Sequence, residues 1–228
     1  MSTVATIMQP YLWPYAGYYR LLAAADVFVV YDCVQFIRRG RIHRNEFTTR
    51  EGFRWLTLPL RKPGRTDRID SVRLSDDAAS EFVNRLRPFE ALAAGLRRTD
   101  AAGEHVPRPG AALVDFLVGQ LRATARLLGF GCEIVRSSSF GIPTDVRGAD
   151  RILALCNALD ARRYVNVDGG RSLYDRQQFA ARGVTLRFLA PYRGSMLSVQ
   201  ERLASEDADL SSQAAAIRAE IEANVVYA

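Results

Sequence analysis

Val4-Ala5-Thr6-Ile7-Met8-Gln9-Pro10-Tyr11-Leu12-Trp13-Pro14-Tyr15-Ala16-Gly17-Tyr18-Tyr19-Arg20 begins as an apolar run and breaks into prolines and aromatics. A second apolar run, Val27 to Tyr31, follows it, and Tyr15 to Ala25 between them reads as a short helix. Strand, helix and strand within about thirty residues predict a right-handed parallel crossover, because parallel neighbours must be joined across a face of their sheet. The fold class is therefore α/β, a Rossmann-like and mostly parallel sheet with flanking helices. In such sheets ligands sit beyond the carboxyl ends of the strands, so the residues after Met8 and after Tyr31 are the first candidates for a site.

The rest of the chain continues this alternation. Cys132 to Val135, Arg163 to Val167 and Val184 to Leu189 read as strands. Gly110 to Leu128, Asp150 to Leu159 and Tyr174 to Ala181 read as helices, the first closed by Gly129. Arg54 to Leu60 and Ile69 to Leu74 alternate like the arms of a hairpin or a sheet extension. Ser75-Asp76-Asp77 is a candidate cap for a helix through Phe82, Leu86 and Phe89, kinked at Pro88, and Thr99 to Gly110 reads as a loop. Residues 1–196 form the α/β domain in this reading, and 197–228 a helical extension packed on it, broken at Ser205 to Asp209.

Composition narrows the class of protein. With 228 residues, 48% of them hydrophobic, one substantial core is expected. No apolar run reaches the roughly 18 residues of a membrane span. The N-terminus carries no basic-then-apolar export signal, which predicts a cytoplasmic protein. Three cysteines without metal-ligand spacing suggest neither a disulfide framework nor a zinc site, so no metal is expected. The net charge of +6 favours anionic partners. Dispersed basic residues without a tail or an RNA-recognition pattern argue against nucleic acid as that partner.

The segments IMQPYLWPYAGYYRLL (7–22), YDCVQFIRRGRIHRN (31–45), WLTLPL (55–60), RSSSFGI (136–142) and YVNVDGGRSLYDRQQFAARGVTLRFLAPY (164–192) resemble the WbqC-like family. That family occurs in bacterial surface-polysaccharide and specialised-metabolite gene neighbourhoods. The chain departs from it at Cys33, where a second acid is more usual, and at His43, where asparagine is. Association with acylated amino sugars implies amide formation: acyl or aminoacyl transfer from a carrier-bound or nucleotide-activated donor to an amine. Such a transferase requires no cofactor of its own. Its donor would be phosphopantetheine-bound or nucleotide-activated, its acceptor a small-molecule amine, and an acyl carrier protein a partner.

A second likeness, to pantothenate-synthetase-type nucleotidyl transferases, rests on the strand, the aromatic loop and the Gly17-Tyr18 turn. There a glycine-histidine pair binds phosphate, whereas Tyr18 carries no cation. A nucleotidyl-transferase-like nucleotide-binding enzyme and a noncatalytic biosynthetic partner are the alternative functions.

Within the transfer scheme Asp32 positions or deprotonates the amine, Tyr18 or Gln9 supports the oxyanion, and Arg39 and Arg44 hold donor phosphate. Gly17 allows close backbone approach to an anion, or alternatively tight helix packing. Tyr11, Gln35, Asn45, Ser137, Ser138, Gly169, Gly170 and Tyr174 complete the expected substrate-binding set, with serines and glycines forming backbone anion pockets at strand ends. Cys33 is a candidate acyl-accepting nucleophile paired with His43, or a small buried residue. Cys156 shares an apolar helix face with Ile152, Leu155 and Leu159 and reads as core.

Overall fold

Alternate residues of the first two strands feed opposite faces of one sheet, and this sets the architecture. The structure, a computed structural model, describes residues 2–100 and 103–228. β1 (Thr3–Met8) crosses through α1 (Ala16–Ala23) to β2 (Val27–Val30). Val4, Phe28 and Val30 point into a core shared with Tyr19 and Leu22 of α1. Ala5, Ile7, Val27 and Val29 point into the core on the other face. Two-sided burial is why both strands read as continuous apolar runs.

A hairpin, β3 (Arg44–Thr49) and β4 (Gly52–Thr57), and two helices, α2 (Ala78–Leu86) and α3 (Glu90–Thr99), come next. α4 (Leu113–Leu127) then leads to β5 (Glu133–Arg136), α5 (Gly148–Ala158) to β6 (Ala161–Val167), and α6 (Arg176–Ala180) to β7 (Thr185–Leu189). The five-stranded sheet has the order β5-β2-β1-β6-β7, and every neighbouring pair is parallel. The chain builds outward from β1 to β2 and β5, then returns to the other side of β1 for β6 and β7. α4 and α1 cover one face with Leu121 and Leu21, and α5 and α6 cover the other with Ile152, Leu155, Cys156 and Phe179.

The middle of the chain departs from its sequence reading. Residues 69–74 are not a hairpin arm: Ile69–Ser71 is a single 3-10 turn, and the segment makes two isolated bridges, Leu60–Leu74 and Arg73–Ala112. The partner of β4 is instead β3, paired from Arg44 opposite Thr57 to Thr49 opposite Gly52. β3 hides its alternation because one of its two inward residues is polar, Asn45 beside Phe47. The kinked helix is two helices, since Pro88 has no N–H to continue the first. Asp77 makes no side-chain bond into α2; its carboxylate accepts from Ser75 Oγ at 2.6 Å. Trp13, Phe47, Leu56, Phe82 and Phe116 form a third core beneath the hairpin.

α7 (Val199–Arg202) and α8 (Leu210–Ala223) close the chain against the α1 face, through Val199, Leu203, Ile217 and Ile221. Ser198 and Glu201 make a capping box at the start of α7. The same Glu201 accepts from Thr48 N at 2.7 Å and Thr48 Oγ1 at 2.6 Å, tying α7 to the hairpin. Among the described residues no helix is long and apolar enough to cross a membrane.

Candidate functional site

The strand order reverses between β1 and β6, because the crossovers that leave these neighbours run in opposite directions. At such a point the loops part and leave a crevice. A cavity of about 240 Å³ lies there, lined by Met8 and Val167 at the two strand ends with Gln9, Tyr11, Tyr15, Gly17, Tyr18 and Arg41. Of the larger hollows, those of about 540 and 660 Å³ border Ala161 and Thr185, where β6 and β7 begin. They lie away from the carboxyl ends at which α/β sheets do their chemistry.

The loop after β1 is clamped from two sides. Gln120 of α4 accepts from Trp13 N at 2.8 Å and donates to the Tyr11 carbonyl at 2.7 Å. Asn45 donates to the carbonyls of Leu12 and Trp13 at 3.1 and 3.2 Å. Its Oδ1 accepts from Arg41 Nη1 at 2.7 Å, Glu46 N at 2.8 Å and Tyr11 Oη at 3.2 Å. Trp13, fully buried, is thereby held at φ +38°, which a bulky residue rarely adopts. Asn45 thus builds the cavity wall from behind.

Tyr18 Oη donates to the Gln9 carbonyl at 2.8 Å, and burial pushes its pKa well above the ordinary tyrosine value. Its proton is therefore fixed within the frame. Burial raises the Tyr11 pKa as well. The Gln9 carboxamide is the neutral donor and acceptor at the cavity. Gly17 is there for packing: a Cβ on it would lie 2.2 Å from the Tyr15 ring and 2.7 Å from the Tyr192 ring.

The arginines divide their labour differently from the sequence expectation. Arg44 Nη2 donates to the Arg39 carbonyl at 2.7 Å and its guanidinium lies 4.2 Å from the Trp55 ring centroid. It braces the turn before β3 and stacks on an aromatic. Arg39 contributes a backbone carbonyl to that brace, and its side chain is exposed. Arg41, which the family pattern did not single out, lines the cavity and lies 5.0 Å from the Trp55 centroid. A cation beside three tyrosines was hidden in an arginine-rich run.

Asp32 is fully buried at the end of β2. Its carboxylate accepts from Arg136 Nε at 2.7 Å, Ser138 Oγ at 2.8 Å, and Ser137 Oγ and Ser138 N at 2.9 Å each. Four donors fill the lone-pair positions of a carboxylate. The expected amine base is therefore a hub joining the ends of β2 and β5. Ser137 and Ser138 spend their hydroxyls on that hub.

Cys33 and His43 are not each other's partners. The polar neighbours of the Cys33 sulfur are Ser137 Oγ and Arg151 Nη1, both at 3.0 Å. His43 packs on Phe36 with ring centroids 5.0 Å apart, and burial, helped by Arg44, drives its pKa down to about 4. Gln35 donates from Nε2 to the Arg65 carbonyl at 2.8 Å. Gly170 sits against the Asn166 side chain, where a Cβ would clash at 2.6 Å, whereas Gly169 faces open space. Tyr174 stacks edge-on against Tyr164 and Phe179.

The structure thus brings Gln9, Tyr11, Gly17 and Tyr18 to one cavity, with Asn45 behind it. Asp32, Ser137 and Ser138 form a separate buried cluster, and Gln35 and Cys33 border a different cavity.

A Mycobacterium tuberculosis protein bearing the name "Uncharacterized protein Rv1507c" is 26% identical over 188 residues, covering 78% of each chain. No solved structure matches the chain. The model of the WbqC-like protein family matches residues 9–195, which run from the Gln9 cavity through the Asp32 cluster to the loop after β7. The chain belongs to the WbqC-like protein family.

Proposed function

We propose that the chain is a transferase that forms an amide, moving an acyl or aminoacyl group from a carrier-bound or nucleotide-activated donor to the amine of an amino sugar or similar metabolite. The observation that carries this reading is the cavity of about 240 Å³ at the crossing point of β1 and β6, walled by Tyr11, Tyr15 and Tyr18 and rimmed by Arg41. Aromatic faces with a few fixed polar groups suit a ring-bearing acceptor. The family's association with acylated amino sugars supplies the acceptor class and the bond formed.

In this scheme Gln9 orients the acceptor and donates to the oxyanion of the tetrahedral intermediate. Tyr18 keeps the Gln9 backbone in place through its bond to that residue's carbonyl. Asp32 is a positioning residue that fixes the ends of β2 and β5. The amine attacks the donor carbonyl and forms the C–N bond, the tetrahedral intermediate collapses with cleavage of the bond to the donor's sulfur or phosphate oxygen, and the leaving group takes up the amine's proton.

Incubation with acyl-phosphopantetheine and acyl-adenylate donors and a panel of amino-sugar nucleotides, followed by mass spectrometry for the amide, tests the reading. Product is expected, and Gln9→Ala is expected to lower its rate by about a hundredfold. Absence of amide across both donor classes, or an unchanged rate in Gln9→Ala, overturns it.

A further inference from the structure

A second cavity, of about 490 Å³, opens between Tyr31 to Gln35 at the end of β2 and the start of α5. Arg68, Arg147 and Arg151 line it, and no carboxylate is among its lining residues. It opens at the carboxyl edge of the sheet, where Tyr31 N donates to the Met8 carbonyl at 2.8 Å and the ends of β1 and β2 lie side by side.

Arg151 decides what this cavity is for. It is 4% exposed. Its Nε donates to the Val146 carbonyl at 2.8 Å, and Nη2 donates to the carbonyls of Ile142 and Pro143 at 3.1 and 2.5 Å. Nη1 donates to Cys33 Sγ at 3.0 Å. A guanidinium carries five N–H bonds, so one Nη1 hydrogen remains after these four. None of the ion pairs among the described residues involves Arg151. A buried cation surrounded by carbonyls and a thiol is costly unless an anion reaches it, and the cavity is the open approach.

The neighbouring groups add to the same field. Arg147 is exposed and stands at the N-cap of α5, making no side-chain bond into the helix. The unpaired N–H groups of that first turn carry partial positive charge. Asp150 in the same turn lines the hollow on the other side of α5. Arg68 is ion-paired with Asp70, which offsets part of its charge. Thr66, Thr144 and Gln35 supply neutral partners around the cations.

We infer that this cavity binds the phosphate or diphosphate group of a small-molecule ligand, with Arg151 as its buried anchor and Arg147 as its outer clamp. Arg147 can offer a bidentate guanidinium contact to phosphate oxygens, and Arg151 adds the single Nη1 hydrogen left to it. Identification of that ligand as the activated donor rests on the transferase reading; the binding itself does not. Nucleotide and phosphopantetheine sources share the phosphate chemistry.

Calorimetric titration of the full chain with inorganic pyrophosphate, ADP and 4′-phosphopantetheine tests it. Saturable pyrophosphate binding is expected, weakened about tenfold by Arg147→Ala and unchanged by Arg162→Ala, a substitution in the hollow at the start of β6. Whichever of ADP and phosphopantetheine binds more tightly than pyrophosphate identifies the source. Absence of saturable binding, indifference to Arg147→Ala, or equal weakening by Arg162→Ala overturns the assignment. Pyrophosphate binding without amide formation leaves this site standing and removes the transferase reading; amide formation without pyrophosphate binding does the reverse.

Discussion

The Asp32 carboxylate meets the Arg136 guanidinium at 2.7 Å across the ends of β2 and β5, and Arg136 is the residue at which β5 hands over to Ser137 and Ser138. One buried acid therefore holds three successive residues of the neighbouring strand end. A ligand that enters from the carboxyl edge meets a surface shaped by this cluster, not the carboxylate itself.

Asp32→Asn keeps the shape and removes the charge that answers Arg136, while turning one acceptor into a donor that faces other donors. A loss of roughly 1–3 kcal/mol in unfolding free energy is expected from the buried donors left facing the new amide, since Arg136 is part-exposed and keeps Asp115 as a partner. Ser138→Ala deletes only a hydroxyl bond and is expected to cost about 1 kcal/mol. Urea unfolding followed by circular dichroism checks both, and equal effects of the two variants would show that the hub does not depend on charge.

Asn45 is tested by its asymmetry. Nδ2 donates to two carbonyls while Oδ1 accepts from Arg41 and Tyr11. Asn45→Asp places an oxygen against the Leu12 and Trp13 carbonyls, so stability is expected to fall by about 2 kcal/mol even though Arg41 gains a charged partner. The acceptor constant KM is expected to rise with it, since the loop that loosens is the cavity wall. A thermal midpoint equal to the parent's would contradict this account.

His43 gives the chain an acid sensitivity. Its folded pKa, about 4, lies below the ordinary histidine value of about 6.5, so the native state favours the neutral ring. Between those values the unfolded chain binds the proton and the folded chain does not. Stability is therefore intact above about pH 6.5 and falls as pH drops toward 4, by roughly 1–3 kcal/mol from this residue. The buried His105 is shifted in the same direction by burial and adds to the slope. Unfolding free energies measured across that range should flatten in His43→Phe, and a slope identical to the parent's would rule His43 out as a source.

Cys33→Asp would set a carboxylate where the sulfur now stands, 3.0 Å from Arg151 Nη1. The buried cation would then have an internal counter-charge, and an incoming phosphate would meet a like charge. Pyrophosphate affinity is expected to fall at least about tenfold. Cys33→Ser, close in size and uncharged, is expected to keep it. Equal affinity in the two variants would separate Arg151 from the ligand.

The sequence shows some of this fold directly and hides the rest for identifiable reasons. The central strands β1 and β2 are legible because burial on both faces makes each a short apolar run, as in Val27-Phe28-Val29-Val30, and the edge strand β7 because buried Leu186 and Phe188 alternate with exposed Thr185 and Arg187. β3 is not legible, because Arg44-Asn45-Glu46-Phe47-Thr48-Thr49 buries a polar residue at one of its inward positions and continues a basic run. Gln9, Tyr11 and Tyr18 stand within ten residues, so their convergence on one cavity follows from a strand meeting a helix. Gln120 clamps the Tyr11 to Trp13 loop from a helix more than a hundred residues away, and nothing local marks it apart from other polar residues of an amphipathic helix.

The sequence alone determined the sheet, the crossover after β1, the family and the segments that gather at the carboxyl edge, because periodicity and loop chemistry are local properties. Only the tertiary structure decided what each charged group faces. It gave Asp32 four donors, turned Arg44 onto Trp55, parted Cys33 from His43, and brought Arg68, Arg147 and Arg151 around one cavity. A charge's role depends on its burial and its partners, and those partners come from strand ends and loops that only the folded sheet makes neighbours.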